Sequence, residues 1–382
     1  MQNGEEWLLL VLNKAKRELY GADCHSLTMG HLLFQAYDSM HAAYRVFWIP
    51  KKRRGQYRAI CAPCEGLKCI QACVNKVLAD MYEPHAAAMG FVVGRSVVDN
   101  AQVHVGQRYV YNIDLKDFFT SIRGDRIFGR LQEHPFDMAA STAKMVVRLC
   151  CGVDEDGVEV LPQGAPSSPI LTNIVCERMD GKLAALAEAY GLRYTRYADD
   201  ITFSGERNVF DAEGRFCKAL RHIVEVEEGL EINADKTRLG GRTGRQEVTG
   251  LTVNEKVNVS KAYVKTIRAM LANWEKSGYR YAQACFLNYY HPTKNSDGVH
   301  RIENVLEGKL AYMKMVKGAD DATYQKLAAR FARLVEKSRN DMVAGSVGWL
   351  LKSDPRLDKM AEKNPALVQL MDALYMPSDN ER

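Results

Sequence analysis

The chain has 382 residues, 47% hydrophobic and 26% charged, the balance of a globular protein built from two or three packed units. Net charge is +5 from 52 basic and 47 acidic residues, so the placement of charge matters more than its sum. No apolar run of about 18 residues occurs, which excludes a spanning helix, and ten cysteines in a chain this long do not make a disulfide framework.

The N-terminus is acidic before its apolar run, the wrong order for a secretory signal, and an intracellular protein is expected. Residues 5–47 read as helical, with Trp7, Leu8, Val11 and Leu12, then Leu32, Leu33, Ala36 and Tyr37, at helical spacing. From 48 to 61 the pattern changes. Lys51-Lys52-Arg53-Arg54-Gly55 reads as a basic turn between two short strands, the second over 57–61. A helix is expected over 67–82. Cys61-x-x-Cys64 with Cys69 and Cys73 hints at zinc, but no second pair completes a site, so incidental thiols are expected.

Residues 108–114 are β-rich and end at Asp114. Residues 139–151 and 170–190 read as helices, the second closed by Gly191. Residues 192–204 read as two strands joined at Ala198-Asp199-Asp200. A helix over 213–228 ends at Gly229, and strand-like segments follow at 231–233, 247–253 and 257–259. Strand, helix, hairpin, helix, strand is the order of a split βαβ sheet with helices on one face. From Ser260 onward the pattern is helical. Between Lys256 and Lys317, eleven Lys or Arg face four acidic residues, which suits either a solvated helix face or a nucleic-acid backbone. Residues 318–382 read as helical, with breaks at Asp354-Pro355 and Asn364-Pro365.

The strongest chemical signal is Tyr197-Ala198-Asp199-Asp200 between apolar flanks. Two adjacent acids in an apolar hairpin are costly unless a hard divalent cation takes their oxygens. Asp114 ends a second β segment. Three carboxylates from neighbouring strands are what two-metal phosphoryl transfer needs: one metal activates the attacking hydroxyl, the other neutralises the leaving pyrophosphate. Asp117 reads as a supporting group or as the cap of the next helix.

Seven blocks, in order, resemble those of reverse transcriptases over residues 48–312. They are Gly55-Gln56-Tyr57-Arg58-Ala59-Ile60 with Pro63, then Gly90-Phe91-Val92-Val93-Gly94-Arg95-Ser96, then Asp114 with Phe118-Phe119. Leu161-Pro162-Gln163-Gly164-Ala165-Pro166-Ser167-Ser168-Pro169, the Tyr-Ala-Asp-Asp tetrad, the run from Gly229 to Thr237, and Val248-Thr249-Gly250-Leu251 complete the set. Asn100-Ala101-Gln102-Val103-His104 and Val248-Thr249-Gly250 resemble the retron type in particular.

The resemblance implies an α+β right-hand polymerase: fingers, a palm with a split βαβ antiparallel sheet, and a helical thumb. A helical N-terminal segment (1–47) would precede fingers (48–108), palm (109–255, with a fingers element about 125–165), thumb (256–317) and a helical C-terminal extension (318–382). Asp114, Asp199 and Asp200 would bind two Mg²⁺ ions, with Mn²⁺ as a substitute. Arg58 would grip the triphosphate, Gln163 and Gly164 would pack on the nucleotide, and Phe119 would be the gate against a 2′-hydroxyl. Tyr197 would sit at the primer end or under the nucleotide, and Lys236 would protonate pyrophosphate or neutralise phosphate. Asn100, His104, Val248, Thr249 and Gly250 would serve RNA or primer, His104 supporting either template RNA or the palm–fingers junction.

A retron enzyme copies part of its own structured non-coding RNA into single-stranded DNA from a guanosine 2′-hydroxyl, giving branched RNA–DNA. It uses dNTPs in the bacterial cytoplasm, without a membrane, and works with an effector protein in antiphage defence. No RNase H motif set is visible, so template removal would fall to another enzyme. Tyr324, Leu327, Phe331 and Leu334 share a helical face, expected to pack on the chain's own thumb. Other bacterial reverse transcriptases, of group II intron or diversity-generating type, are the first alternative. An RNA-directed RNA polymerase fits Phe119 and the tetrad poorly, and a non-catalytic RNA-binding scaffold fits three intact carboxylates poorly.

Overall fold

The computed structural model describes residues 4–38, 43–51, 55–289, 300–345 and 355–364. The chain divides into two compact units, Met1–Thr249 with Val253–Lys256 and Gly250–Thr252 with Val257–Arg382. Among the described residues no helix is long and apolar enough to cross a membrane.

The first unit opens with α1 (Glu5–Tyr20), whose buried face is Leu8, Leu12 and Ala15, and α2 (Met29–Leu33), capped reciprocally by Thr28 and His31. Residues 44–47, expected to be helical, instead belong to strand β1 (Tyr44–Pro50). It pairs antiparallel with β2 (Tyr57–Pro63), Trp48 opposite Ala59. The run Val46-Phe47-Trp48-Ile49 is β-branched or aromatic throughout, and that outweighs the helical spacing upstream. Of the expected basic turn, Lys52 to Arg54 lie outside the described residues. Lys51 N donates to Gln56 O at 2.7 Å and closes the base of that turn.

Helix α3 (Glu65–Met81) buries Leu67, Ile70, Val74 and Leu78. Helix α4 (Val97–Val103), not anticipated from hydrophobic spacing, starts at a Ser96–Asp99 capping box. Then come β3 (Tyr109–Asp114), α5 (Gly124–Leu131), α6 (Ala140–Cys150), the two-residue strands β4 (Gly152–Val153) and β5 (Glu159–Val160), and α7 (Ser168–Ala189). Strands β6 (Arg193–Tyr197) and β7 (Asp200–Gly205) form the expected hairpin. Helix α8 (Arg215–Arg221) runs on as a π-type turn to Glu227 before Gly229, at φ 63°.

The central sheet has the order β6-β7-β3-β8, with every neighbouring pair antiparallel. Its fourth strand, β8 (Arg238–Gly241), was not legible, because Arg238-Leu239-Gly240-Gly241 has neither alternation nor β-formers at its end. Side chains alternate between faces. One face turns Tyr194, Arg196, Ile201 and Phe203 toward the helices. Tyr194 stacks on Phe203 at 4.9 Å, and Phe203 meets Phe216 of α8 edge-on at 5.2 Å. The other face carries Asp114 and Asp200.

Strand β9 (Glu247–Val248) belongs to the first unit and β10 (Leu251–Thr252) to the second. The second unit is helical: α9 (Lys261–Ser277), α10 (Tyr279–Tyr289), α11 (Ile302–Lys317), α12 (Ala322–Gly345) and α13 (Pro355–Lys363). Ile267, Leu271, Trp274, Leu306 and Leu310 are buried between them. Helix α12 packs against α9. Leu327 and Leu334 are buried, and Phe331 lies 6.2 Å from the Trp274 ring. Arg330 bonds Glu275 through two nitrogens, at 2.9 and 2.6 Å. Residues 346–354 and 365–382 of the expected extension lie outside the described residues.

Candidate active site

The sheet register brings the three aspartates together. Asp114, the last residue of β3, is the direct cross-strand partner of Asp200, the first residue of β7. Tyr197 pairs with Asp200 across the hairpin, leaving Ala198 and Asp199 as its two-residue turn. Ala198 holds φ 57°, a conformation unusual for a residue with a side chain. Leu115 N donates to Asp199 O at 3.1 Å, tying the turn to the chain just past Asp114.

Charge at this corner is unbalanced. Burial raises the Asp199 carboxyl, and Asp114 adds to the effect against relief from Lys236 and Arg58. Partial burial, then Asp199 and Asp114, push Asp200 up to about 6, with Lys236 and Arg238 pulling the other way. Lys236 Nζ sits 2.8 Å from both oxygens of Asp114. Asn233 Nδ2 donates to Asp114 Oδ2 at 3.3 Å, and Asn233 N to the Asp114 carbonyl at 2.8 Å.

Three carboxylates against one ammonium leave room for more positive charge, and an all-oxygen donor set suits a hard divalent cation. Among the described residues no three His, Cys, Asp or Glu side chains are already gathered around an ion-sized space. Lys236 occupies both oxygens of Asp114. Asp114, Asp199 and Asp200 are the residues that would hold a bound cation. Cys61, Cys64, Cys69 and Cys73 do not form such a group either, and burial pushes the Cys73 thiol up to about 12.

Arg58 is exposed on β2 and acts on Asp199 electrostatically. Phe119 is half-buried between Phe91, 6.1 Å away, and Phe118, 5.8 Å away; Phe118 itself is core. Asp117 does not cap the next helix. It takes φ 42°, its carbonyl accepts from Thr120 and Ser121, and the N-cap of α5 is Arg123, which makes no side-chain cap.

The loop before α7 is pinned to β2. Cys61 N donates to Gln163 O at 2.8 Å, and a Cβ on Gly164 would come within 2.9 Å of Ile60 Cγ2. Gly164, at φ 123°, permits this close approach to β2.

Three of the residues expected to serve RNA or primer are buried. Asn100, His104 and Val248 are 1%, 0% and 0% exposed. His104 Nδ1 lies 2.7 Å from Ser204 Oγ and Nε2 lies 2.7 Å from Thr195 Oγ1. It fastens the end of α4 to β6 and β7, and burial pulls its pKa down to about 3. Asn100 Nδ2 reaches Thr249 Oγ1 at 3.4 Å. Thr249 and Gly250 make a turn with φ 45° and 82°. Gly250 lines a cleft of about 330 Å³ in the second unit with Leu251, Val259, Ser260, Tyr263 and Tyr312.

Two contributors were missed. Asn233 ends the strand-like segment 231–233 and lies in the run from Gly229 to Thr237, but it carries no charge and no role was expected of it. Arg196 reads as an ordinary strand charge until its burial is seen.

Residues 49–257 match the family model described as reverse transcriptase (RNA-dependent DNA polymerase), more than half of the chain. The retron Mx65 reverse transcriptase of Myxococcus xanthus is 37% identical over 284 residues, 72% of this chain and 61% of that protein. The retron Ec86 reverse transcriptase of Escherichia coli is 34% identical over 232 residues, 60% of this chain and 69% of that one. The retron Mx162 reverse transcriptase of Myxococcus xanthus is 34% identical over 262 residues, 62% of this chain and 53% of that one. The chain thus spans between 53% and 69% of the length of these relatives. With three aspartates converging in a matched polymerase domain, the chain belongs to the reverse transcriptase family and is of the retron type.

Proposed function

We propose that the chain is an RNA-directed DNA polymerase that extends a primer on its cognate structured RNA using dNTPs. The observation that carries this reading is the register pairing of Asp114 with Asp200, with Asp199 in the intervening turn. Two Mg²⁺ ions, or Mn²⁺ in their place, would lower the pKa of the attacking hydroxyl and neutralise the leaving pyrophosphate.

The chain's own residues supply the rest. Asp114, Asp199 and Asp200 offer the oxygen ligands. Arg58 reaches toward the same corner from β2 and binds the triphosphate through its guanidinium fork. Lys236, now on Asp114, needs only a short swing of its flexible stem to meet a phosphate oxygen and give pyrophosphate a proton. The Phe119 ring, steadied by Phe91 and Phe118, closes the space a ribose 2′-hydroxyl would need. Tyr197 and the Gln163 side of the loop complete the nucleotide floor, and half-buried Thr249 and exposed Gly250 contact the primer.

The finer reading is the retron one. It starts DNA from a guanosine 2′-hydroxyl of its own RNA, leaves a branched RNA–DNA product in the bacterial cytoplasm, and serves antiphage defence with an effector protein. The retron relatives support it. The polymerase reading is tested on a primed RNA template with Mg²⁺. Asp199→Asn or Asp200→Asn abolishes synthesis, and unimpaired synthesis refutes the site. Nucleic acid co-purified from cells tests the retron reading: it contains a short DNA joined to RNA, and RNase-treated material without such DNA points to another bacterial lineage.

A further inference from the structure

A charged side chain stands where a strand facing a helix ordinarily carries an apolar one. Arg196 is the largest fully buried side chain among the described residues, with no exposed surface. It lies on the helix-facing side of β6, opposite Ile201. Asp180 of α7, equally buried, receives Nε at 2.8 Å and Nη2 at 2.6 Å. Tyr194 Oη donates to the same carboxylate at 2.7 Å. Nη2 also donates to Asn173 Oδ1 at 3.1 Å, and Nη1 donates to the Ala198 carbonyl at 3.3 Å. Burial opposes the charge, but Asp180 outweighs it and keeps Arg196 protonated.

Stability is a poor reason for such a pair. Two ions lose their water, and apolar residues of equal volume commonly do as well or better. What the pair holds is more telling. The guanidinium ties α7 to the hairpin turn, and the Arg196 main chain ties on the segment 87–90. Arg196 N donates to Ala87 O at 2.8 Å, and Met89 N donates to Arg196 O at 2.7 Å. Asn173 Nδ2 donates to Gly90 O at 3.0 Å. Gly90 in turn lies so close to the turn that an added Cβ would come within 2.6 Å of Ala198 N.

We propose that Arg196, held by Asp180 and Asn173, is a positioning residue that fixes the Ala198–Asp199 turn so that Asp199 and Asp200 face Asp114. The inference rests on the polymerase reading above. Arg196 touches neither nucleotide nor primer; it acts through the Ala198 carbonyl and the main chain of the strand leading into the turn. Lysine keeps the charge and can satisfy Asp180. Its single nitrogen cannot bridge Asp180, Asn173 and Ala198 together.

The test compares wild type, Arg196→Lys and Gly90→Ala on a primed RNA template, per mole of folded protein. Arg196→Lys lowers kcat roughly 10- to 100-fold, as expected of a small misplacement of reacting groups, while KM for dNTP and primer–template affinity stay within about twofold. Gly90→Ala leaves the ion pair intact, presses on the main chain of Tyr197 and Ala198 at the turn and lowers kcat in the same way. It serves equally if the lysine variant does not fold. An unchanged kcat in a folded Arg196→Lys or in Gly90→Ala overturns the proposal. So does a loss shared between kcat, KM and affinity, which marks a packing role. A wild type that makes no DNA overturns the polymerase reading itself; an active wild type beside unimpaired variants overturns only this inference.

Discussion

Two antiparallel hairpins of the first unit, β1–β2 and β6–β7, have the same backbone plan and opposite surroundings. In β6–β7, Thr195, Arg196, Ile201 and Phe203 are at most 1% exposed, and helices seal the inner face. In β1–β2, Val46, Trp48 and Tyr57 are 55%, 65% and 58% exposed. The β6–β7 hairpin must hold two carboxylates still against mutual repulsion, and packing does that. The β1–β2 hairpin presents Arg58 from a strand with little core behind it, which suits a part that meets ligand from outside. Local stability follows the chemical task of each hairpin rather than its shape.

That contrast can be broken by substitution. Phe203→Ala opens a hole under the catalytic hairpin and costs about 3–5 kcal/mol of stability. Trp48→Ala, at an exposed site, stays within about 0.5 kcal/mol. Urea unfolding of both variants measures this, and equal losses would show that the two hairpins are held alike. Arg58→Ala removes a charge-assisted contact worth about 1.5–3 kcal/mol. It raises KM for dNTP roughly 10- to 100-fold in steady-state kinetics and leaves the unfolding midpoint in place.

The smallest effect is a matter of pH. His104 has an ordinary pKa of 6.5, lowered in the fold to about 3. Between those values the unfolded chain takes up a proton that the folded one refuses. Stability is therefore complete above the unfolded value and falls with acidification, by about 1.4 kcal/mol per pH unit from this group. His104→Gln can still meet Ser204 and Thr195 and flattens that slope in unfolding titrations at about pH 7, 6 and 5. An unaltered slope would place the proton uptake elsewhere.

The acidic corner was legible because its signals are local. Two acids sit between alternating apolar strands, and Asp114 ends a run of Tyr, Val and Ile. What stayed hidden depends on tertiary contact. Strand β8 is short and ends in two glycines, so only pairing with β3 makes it a strand. Residues 44–47 could follow either period, and pairing with 60–63 decided them. His104 and Arg196 look alike in sequence, polar residues near strands, yet each is a fully buried fastening. Nothing in spacing tells a solvated charge from one that has found a partner sixteen residues away.

One detail of β6 reaches beyond catalysis. It is an outer strand of the sheet, and its open side is engaged at Arg196 by Ala87 and Met89, with a parallel bridge to Ala88. An outer strand with free amides and carbonyls is a template for a neighbouring molecule and a seed for fibres. Here that invitation is withdrawn by a short length of the same chain, so a crowd of newly made copies cannot knit together along this border.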